Sequence, residues 1–416
     1  MTLGIPPSLR YRKFFYLWLG LMISVAGTQM QAAALLWNVR DLTDQPIALG
    51  GIGLARILPL IVFSLIGGAI ADAVDRKKLL YLTQTSMAVF ALLLAILAFT
   101  GKITLWSIYF LTAMNAVAVS FDSPARQSLV PNLVPAKDLP GAFSMSSIAF
   151  QVGAIVGPAL GGLVIAYMGI GFTYLFNALS YGAVIIALIL MGRVPQQVKK
   201  REGAMVSIGS IKEGVQFIFS RPIILSTMLL DFFATFFSSA NTLLPSFSRD
   251  ILHVGAVEYG WLSAAQSIGA ATAAVIISQM RDIRHQGPIF LLAVVAYGFA
   301  TVAFGLSANY AVAMMALIFI GAADSVSTII RNTIRQLQTP DYIRGRMISV
   351  NQIFFMGGPQ LGEVEAGLVA QLFGIPFAII SGGIGCIVAV AAIARKWPVL
   401  AHYNGDEPIV AGASAD

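Results

Sequence analysis

Stretches of about 20 or more apolar residues recur along the whole chain, and each is long enough to cross the ~30 Å hydrocarbon core of a bilayer as a helix. Twelve are read, at roughly 14–38, 47–71, 79–99, 104–125, 141–168, 171–192, 222–246, 256–279, 288–306, 309–330, 346–370 and 373–394. In lipid every backbone N–H and C=O must be satisfied by the protein itself, which restricts such stretches to helices. The composition agrees. Only 11% of the 416 residues are charged and mean hydropathy is +0.82, whereas a soluble domain carries about a quarter charged residues. The predicted fold class is therefore an all-α integral membrane protein with twelve transmembrane helices. Arg10, Arg12 and Lys13 precede the first span as they would a signal peptide, but the span runs too long and lacks a small-x-small cleavage site, so it is read as retained.

The formal charge of +7 would suit nucleic acid, but its distribution points elsewhere. With the N-terminus placed in the cytoplasm, all but four of the 26 Lys and Arg fall on the cytoplasmic side. Arg40, Lys102 and Arg249 lie outside, and Arg56 lies within the second span. This is the positive-inside pattern, with both termini cytoplasmic; no nucleic-acid partner is expected. Residues 193–221 form the longest polar segment. They carry Lys199, Lys200 and Arg201, followed by an amphipathic run through Ile208, Ile211, Val215, Ile218 and Phe219, with Lys212 and Glu213 opposite. The expected organisation is a six-helix bundle over 1–192, a cytoplasmic linker with a surface helix over 193–221, a second six-helix bundle over 222–396, and a disordered cytoplasmic tail over 397–416.

The two bundles are related in sequence. A shift of 205 residues aligns Arg126 with Arg331, Pro135 with Pro340, and Ser144, Ile148 and Phe150 with Ser349, Ile353 and Phe355. Gly153, Gly157, Gly162, Leu163 and Val164 then fall on Gly358, Gly362, Gly367, Leu368 and Val369. Two six-span halves repeated in parallel are the plan of one large class of secondary transporters.

Three motifs carry a more specific resemblance. The loop after the second span, Gly67-Gly-Ala-Ile-Ala-Asp72-Ala-Val-Asp-Arg76-Lys77-Lys78, resembles the cytoplasmic motif of the major facilitator superfamily. Gly68, Asp72, Arg76 and Lys77 match it; Ala73 and Asp75 depart from its usual basic residue and glycine. Gly153-x-x-x-Gly157-Pro158-x-x-Gly161-Gly162 in the fifth span is similar to the motif of that superfamily's proton antiporters. Asp122-Ser-Pro-Ala-Arg126-Gln-Ser-Leu-Val-Pro131-x-Leu-Val-Pro135 resembles the branch that contains enterobactin and macrolide exporters. The resemblance implies a transporter in a bacterial inner membrane, with two bundles rocking about a midplane cavity. It also implies a conformational latch of Asp72, Arg76 and Asp122, supported by Gly68, Lys77 and Arg126. The alternative for these charges is a plain topology signal tempered by acids.

Polar stripes suggest where a wet path runs. Thr227, Asp231, Thr235, Ser238 and Thr242 step by 4, 4, 3 and 4 along the seventh span, a single helical face. Ser24, Thr28 and Gln31 on the first span superimpose on it with an offset of 207. Asn38 and Asn115 extend the expected cavity lining, and Arg56 is read as a counter-ion or an anion-attracting group. Intramembrane acids are functional candidates by default. Asp231 is the first proton-coupling candidate and Asp324, seven residues before Arg331, the second. Glu363 and Glu365 complete the set, but two residues apart on a helix they point about 200° from one another.

The expected function is export of amphipathic small molecules, of drug, macrolide or siderophore type, by proton antiport and as a monomer. Lysolipid flipping and uptake symport fit the same fold; a non-transporting receptor or scaffold is the alternative of a different class. No Gly-x-x-x-x-Gly-Lys-Ser/Thr loop, Gly-x-Ser-x-Gly or His-Glu-x-x-His is present, so neither ATP hydrolysis nor an enzymatic activity is expected. One cysteine and three scattered histidines hold out no metal site, and no cofactor is expected.

Overall fold

The computed structural model describes residues 6–195, 208–280 and 283–405. Long helices dominate the first half of the chain: α1 (Arg12–Leu42), α2 (Pro46–Ala73), α3 (Arg76–Phe99), α4 (Leu105–Leu129), α5 (Leu139–Tyr167) and α6 (Ile170–Leu190). The second half contains α7 (Ile208–Ser220), α8 (Pro222–Phe237), α9 (Leu244–Asp250), α10 (Ala256–Ser278), α11 (Gln286–Leu306) and α12 (Tyr310–Leu337). It ends with α13 (Asp341–Phe373), α14 (Ile375–Lys396) and α15 (Pro398–Ala401). Among the described residues, eleven helical stretches are long and apolar enough to span a membrane. The remaining long helix, α13, carries Asn351, Gln352, Gln360 and Glu363 in its middle, which lowers its hydropathy. Leu58, Phe110, Leu179, Leu292 and Leu372 are between 61% and 73% exposed, a surface suited to lipid tails and not to water.

Local chemistry sets several helix ends. Asp75 caps α3, accepting from the backbone N–H groups of Lys77 and Lys78. Thr104 and Ser107 form a capping box at α4, and Asn309 caps α12. The turns from α5 to α6 and from α13 to α14 pass through Gly169 (φ 92°) and Gly374 (φ 91°), a conformation that favours glycine. These two glycines obey the same 205-residue offset.

The chain divides into two compact units. One comprises Met1–Thr43, Ala55–Met205 and Val254–Ala264; the other comprises Asp44–Leu54, Val206–His253 and Ala265–Asp416. In the first, α1 packs on α5 and α6, and α3 on α4 and α6. In the second, α8 packs on α13 and α14, and α11 on α12 and α14. The units cross the boundaries expected from the sequence at two segments, and glycine explains both. The first turns of α10 lie against α5, where Gly162 meets Gly260 and the Ala256 carbonyl. The first turns of α2 lie against α13, where Gly367 meets Gly50 and the Pro46 carbonyl. Without side chains at these positions the backbones approach closely.

Two expectations need correction. The seventh span is not one helix: α8 ends at Phe237, and a short 3-10 turn over Ala240–Leu243 leads into α9. The Ser239 hydroxyl donates to the carbonyls of Thr235 and Pro359, and Pro245 begins a new helix where its missing N–H costs nothing. The polar stripe is therefore continuous only from Thr227 to Thr235. The segment after Trp397 is also ordered at first: α15 follows directly, with Leu400 and Tyr403 buried against α8, α11 and α14. The Gly287 N–H donates to the Tyr403 carbonyl (2.8 Å). Residues 406–416 of the expected disordered tail lie outside the described residues.

The linker helix is present as α7, packed on α13, with Ile218 buried, Phe219 exposed and Glu213 paired with Arg346 at 2.5 Å. Lys199, Lys200 and Arg201, and the side chains of Ile208, Ile211 and Lys212, lie outside the described residues.

Candidate functional site

In the second unit, α8 and α12 bring together a buried ionic cluster. Asp324, Ser327, Arg331 and Arg335 step by 3, 4 and 4 along α12 and so share one helical face. Asp231 projects from α8 between the two guanidiniums, 3.0 Å from Arg331 Nη2 and 3.5 Å from Arg335 Nη2. Asp324 lies 3.7 Å from Arg331 Nη1. The Ser327 hydroxyl accepts from Arg331 (3.0 Å), and Arg335 donates to both the hydroxyl (3.1 Å) and the carbonyl (2.8 Å) of Thr227. Asp231, Arg331 and Arg335 are all buried. Three buried charges, with the half-exposed Asp324 at their edge, thus sum to zero among apolar helices, where an unpaired charge is costly. Arg331 and Arg335 are therefore not loop charges, as counting basic residues on the cytoplasmic side took them to be. The three-four-four spacing on α12 was the available signal for this face.

The first unit holds a different arrangement at the repeat-related position. Arg126, the equivalent of Arg331, pairs with Asp122 on its own helix, and the fully buried Asp122 also accepts from Thr83 (2.9 Å) and Gln84 (2.8 Å) of α3. In the second unit the residue equivalent to Asp122 is Ser327, and the carboxylate comes from Asp231, whose counterpart on α1 is Ser24. The fully buried acid has changed helices between the halves while the arginine has stayed.

The α1 stripe faces α6. Gln31 accepts from Asn177 (2.8 Å), Asn38 donates to the Tyr174 hydroxyl (2.9 Å) and Thr28 to the Tyr181 hydroxyl (3.3 Å). Ser24, Gln31 and Asn38 are buried. This polar seam between two helices spends the side chains on one another, and its α6 partners were not singled out in the sequence. Arg56 on α2 and Asn115 on α4 are half-buried. In the second unit Thr235 turns back to the Asp231 carbonyl (2.8 Å), and Ser238 is buried beyond the end of α8. Glu363 is half-buried against Gly53, and Glu365, also half-buried, points elsewhere around α13.

The glycine motif forms a close seam. Methyl groups added at Gly153, Gly157 and Gly161 would meet Val25, Ala26 and Met30 of α1, and Gly162 turns instead to α10. Pro158 is buried within α5. Gly358 and Gly362 repeat the contact against Phe232 and Phe236 of α8. Of the expected latch, Arg76 donates to Asn132 (3.0 Å) and Lys77 to the Gly192 carbonyl (2.5 Å). The surroundings of Gly68 and the side chain of Asp72 lie outside what is described. Among the described residues no group of three or more His, Cys, Asp or Glu is placed to hold a metal ion.

Comparison with known proteins adds family and fold. Residues 5–405 match the family described as transmembrane secretion effector. The enterobactin exporter of Citrobacter koseri is 25% identical over 350 residues, covering 84% of this chain and 83% of that one. The enterobactin exporter of Escherichia coli K12 is 23% identical over 351 residues, with the same coverage. Among solved structures, a bacterial homologue of the human lysosomal transporter Spinster superposes with a TM-score of 0.74 at 13% identity, covering 95% of this chain and 99% of that one. A nucleoside transporter does so with a TM-score of 0.74 at 12% identity, covering 93% and 100%.

Proposed function

Since the chain belongs to the transmembrane secretion effector family of major facilitator transporters, we propose that it exports amphipathic small molecules by alternating access, driven by proton antiport. It is a multi-pass inner-membrane transporter; the direction, the substrate class and the coupling are our reading. Export follows the curated relatives, which are enterobactin exporters. A siderophore-type molecule with a large apolar body and polar edges is the first substrate class to try, with macrolides second.

The observation that carries proton coupling is the cluster of Asp231, Asp324, Arg331 and Arg335. Charged side chains inside a membrane span are retained at a cost, and ion and proton pathways are where they are used. Adding a proton to one acid changes the net charge of the cluster. It thereby biases the equilibrium between two states that hold the cluster differently. The close α1–α5 and α8–α13 seams, lined by Gly153, Gly157, Gly358 and Gly362, let each half move as a packed body. Asp122 and Arg126, with Arg76 and Lys77, are assigned to hold one state.

The test is transport in proteoliposomes under an imposed proton gradient, with a panel of catecholate siderophores, macrolides and amphipathic dyes. Gradient-dependent accumulation that collapses with a protonophore supports the reading. Movement indifferent to the gradient indicates a facilitator or flippase, uptake along the proton gradient indicates a symporter, and no movement of any compound favours a receptor or scaffold.

A further inference from the structure

The two acids of the cluster differ in ways that assign them different tasks. Asp231 is 1% exposed and lies within 3.0 Å and 3.5 Å of two guanidiniums. Asp324 has a side chain 48% exposed and one guanidinium, that of Arg331, at 3.7 Å. Neutralising Asp231 would leave Arg335 with only the hydroxyl and carbonyl of Thr227, a buried cation facing no anion. Breaking a buried pair from one side in this way is strongly destabilising. Neutralising Asp324 leaves both guanidiniums on Asp231 and raises the cluster from zero to one positive charge.

The surroundings of Asp324 sharpen the contrast. Thr328 and Arg331 face it from α12, Asp231 from α8 and Tyr297 from α11; this set contains one cation and one like charge. Asp122, the repeat-related acid, is fully buried and accepts from three donors, so it has neither water nor a spare partner. Glu365 is half-buried on α13, and the ion pairs found for Arg331 and Arg335 are to Asp231 and Asp324.

We propose that Asp324 is the carboxylate that exchanges the proton, and that Asp231 stays ionised as the fixed counter-ion of Arg331 and Arg335. The assignment rests on the proton-coupled reading above and names the residue that performs it. The proton passes between water and a carboxylate oxygen of Asp324. Its arrival releases Arg331 from the acid on its own helix and leaves it to Asp231 on α8, altering the α8–α12 contact.

The experiment is infrared difference spectroscopy of the full-length protein in nanodiscs, between buffers on either side of neutrality, read at the carbonyl stretch of protonated carboxylic acids. Wild type is expected to show a component that Asp324→Asn abolishes. Asp231→Asn is expected to unfold at a markedly lower temperature. Since loss of folding in that variant would leave the band unread, the charge-balanced pair Asp231→Asn with Arg335→Gln is the companion, and it is expected to retain the component. Absence of the component from wild type, its survival in Asp324→Asn, or its loss in the balanced pair each overturns the assignment. No substrate enters the measurement. A protein that moves no compound under a proton gradient thus fails the export reading alone, whereas a surviving band fails this assignment even if transport is gradient-driven.

Discussion

Replacing Gly157 by alanine tests the close packing of α1 on α5 in the first unit. The new methyl group would lie 2.5 Å from the Ala26 carbonyl oxygen, 2.7 Å from Gln29 Cβ and 3.0 Å from the Met30 backbone nitrogen. Ordinary carbon contacts sit at about 3.5–4.0 Å, so α1 and α5 must separate by roughly 1 Å. Two of the three obstructing atoms are backbone and have no rotamer to change. Overpacking of this kind costs about 1–3 kcal/mol, partly offset by the ~1 kcal/mol gain in helix propensity of alanine over glycine. Gly182 on α6 is the control, because a methyl group there would meet nothing within 4 Å; Gly182→Ala keeps the propensity gain alone. The two variants should therefore differ by about 1–3 kcal/mol, with Gly157→Ala the less stable. The assay is thermal unfolding in a single detergent, followed by tryptophan fluorescence, since Trp18 and Trp37 both lie on α1. Equal unfolding temperatures for the two alanines would refute the close α1–α5 approach.

Three further outcomes are expected. Asp75→Ala removes the α3 cap and should cost about 1 kcal/mol, while Asp75→Gly, which restores the superfamily's usual residue, should cost only a few tenths; chemical denaturation of the three proteins checks the order. Leu400→Ala should destabilise by about 2–5 kcal/mol, as expected for a fully buried leucine, and an unchanged unfolding temperature would mean that α15 does not dock. The Tyr11 hydroxyl donates to Asp138 (2.8 Å), and that bond to a carboxylate raises the tyrosine above its ordinary value of 10.0. A raised folded-state value contributes stability that is present below the unfolded value and is lost as pH climbs through the folded one. Stability measured against pH should accordingly fall in alkaline solution more steeply for wild type than for Tyr11→Phe.

Much of the site was legible because it repeats or alternates along one dimension. The 205-residue offset located the glycine seams, and the contacts of Gly153 and Gly157 recur at Gly358 and Gly362. Asp231 stood out on its stripe, and Asp324 through its spacing to Arg331. The arginines were misplaced because a basic residue near the end of an apolar stretch looks the same whether it enters a loop or folds back onto an acid from another helix. Asp75 looked like a lapse in a motif, yet it performs the capping that glycine does less well. Asn177, Thr83 and Gln84 carried no signal, since a single amide or hydroxyl in an apolar helix acquires meaning only from the residue opposite it.

Hydropathy is a property of neighbouring residues and sufficed for a helical membrane protein, as short motifs did for its family. Which charges are buried, which acid faces two cations and which faces one, and where the seventh span breaks depend on residues more than 90 positions apart, as Asp231 and Asp324 are. Those relations exist only once α8 and α12 pack, because the strength of an ion pair is set by distance and desolvation, and neither is a property of the linear chain.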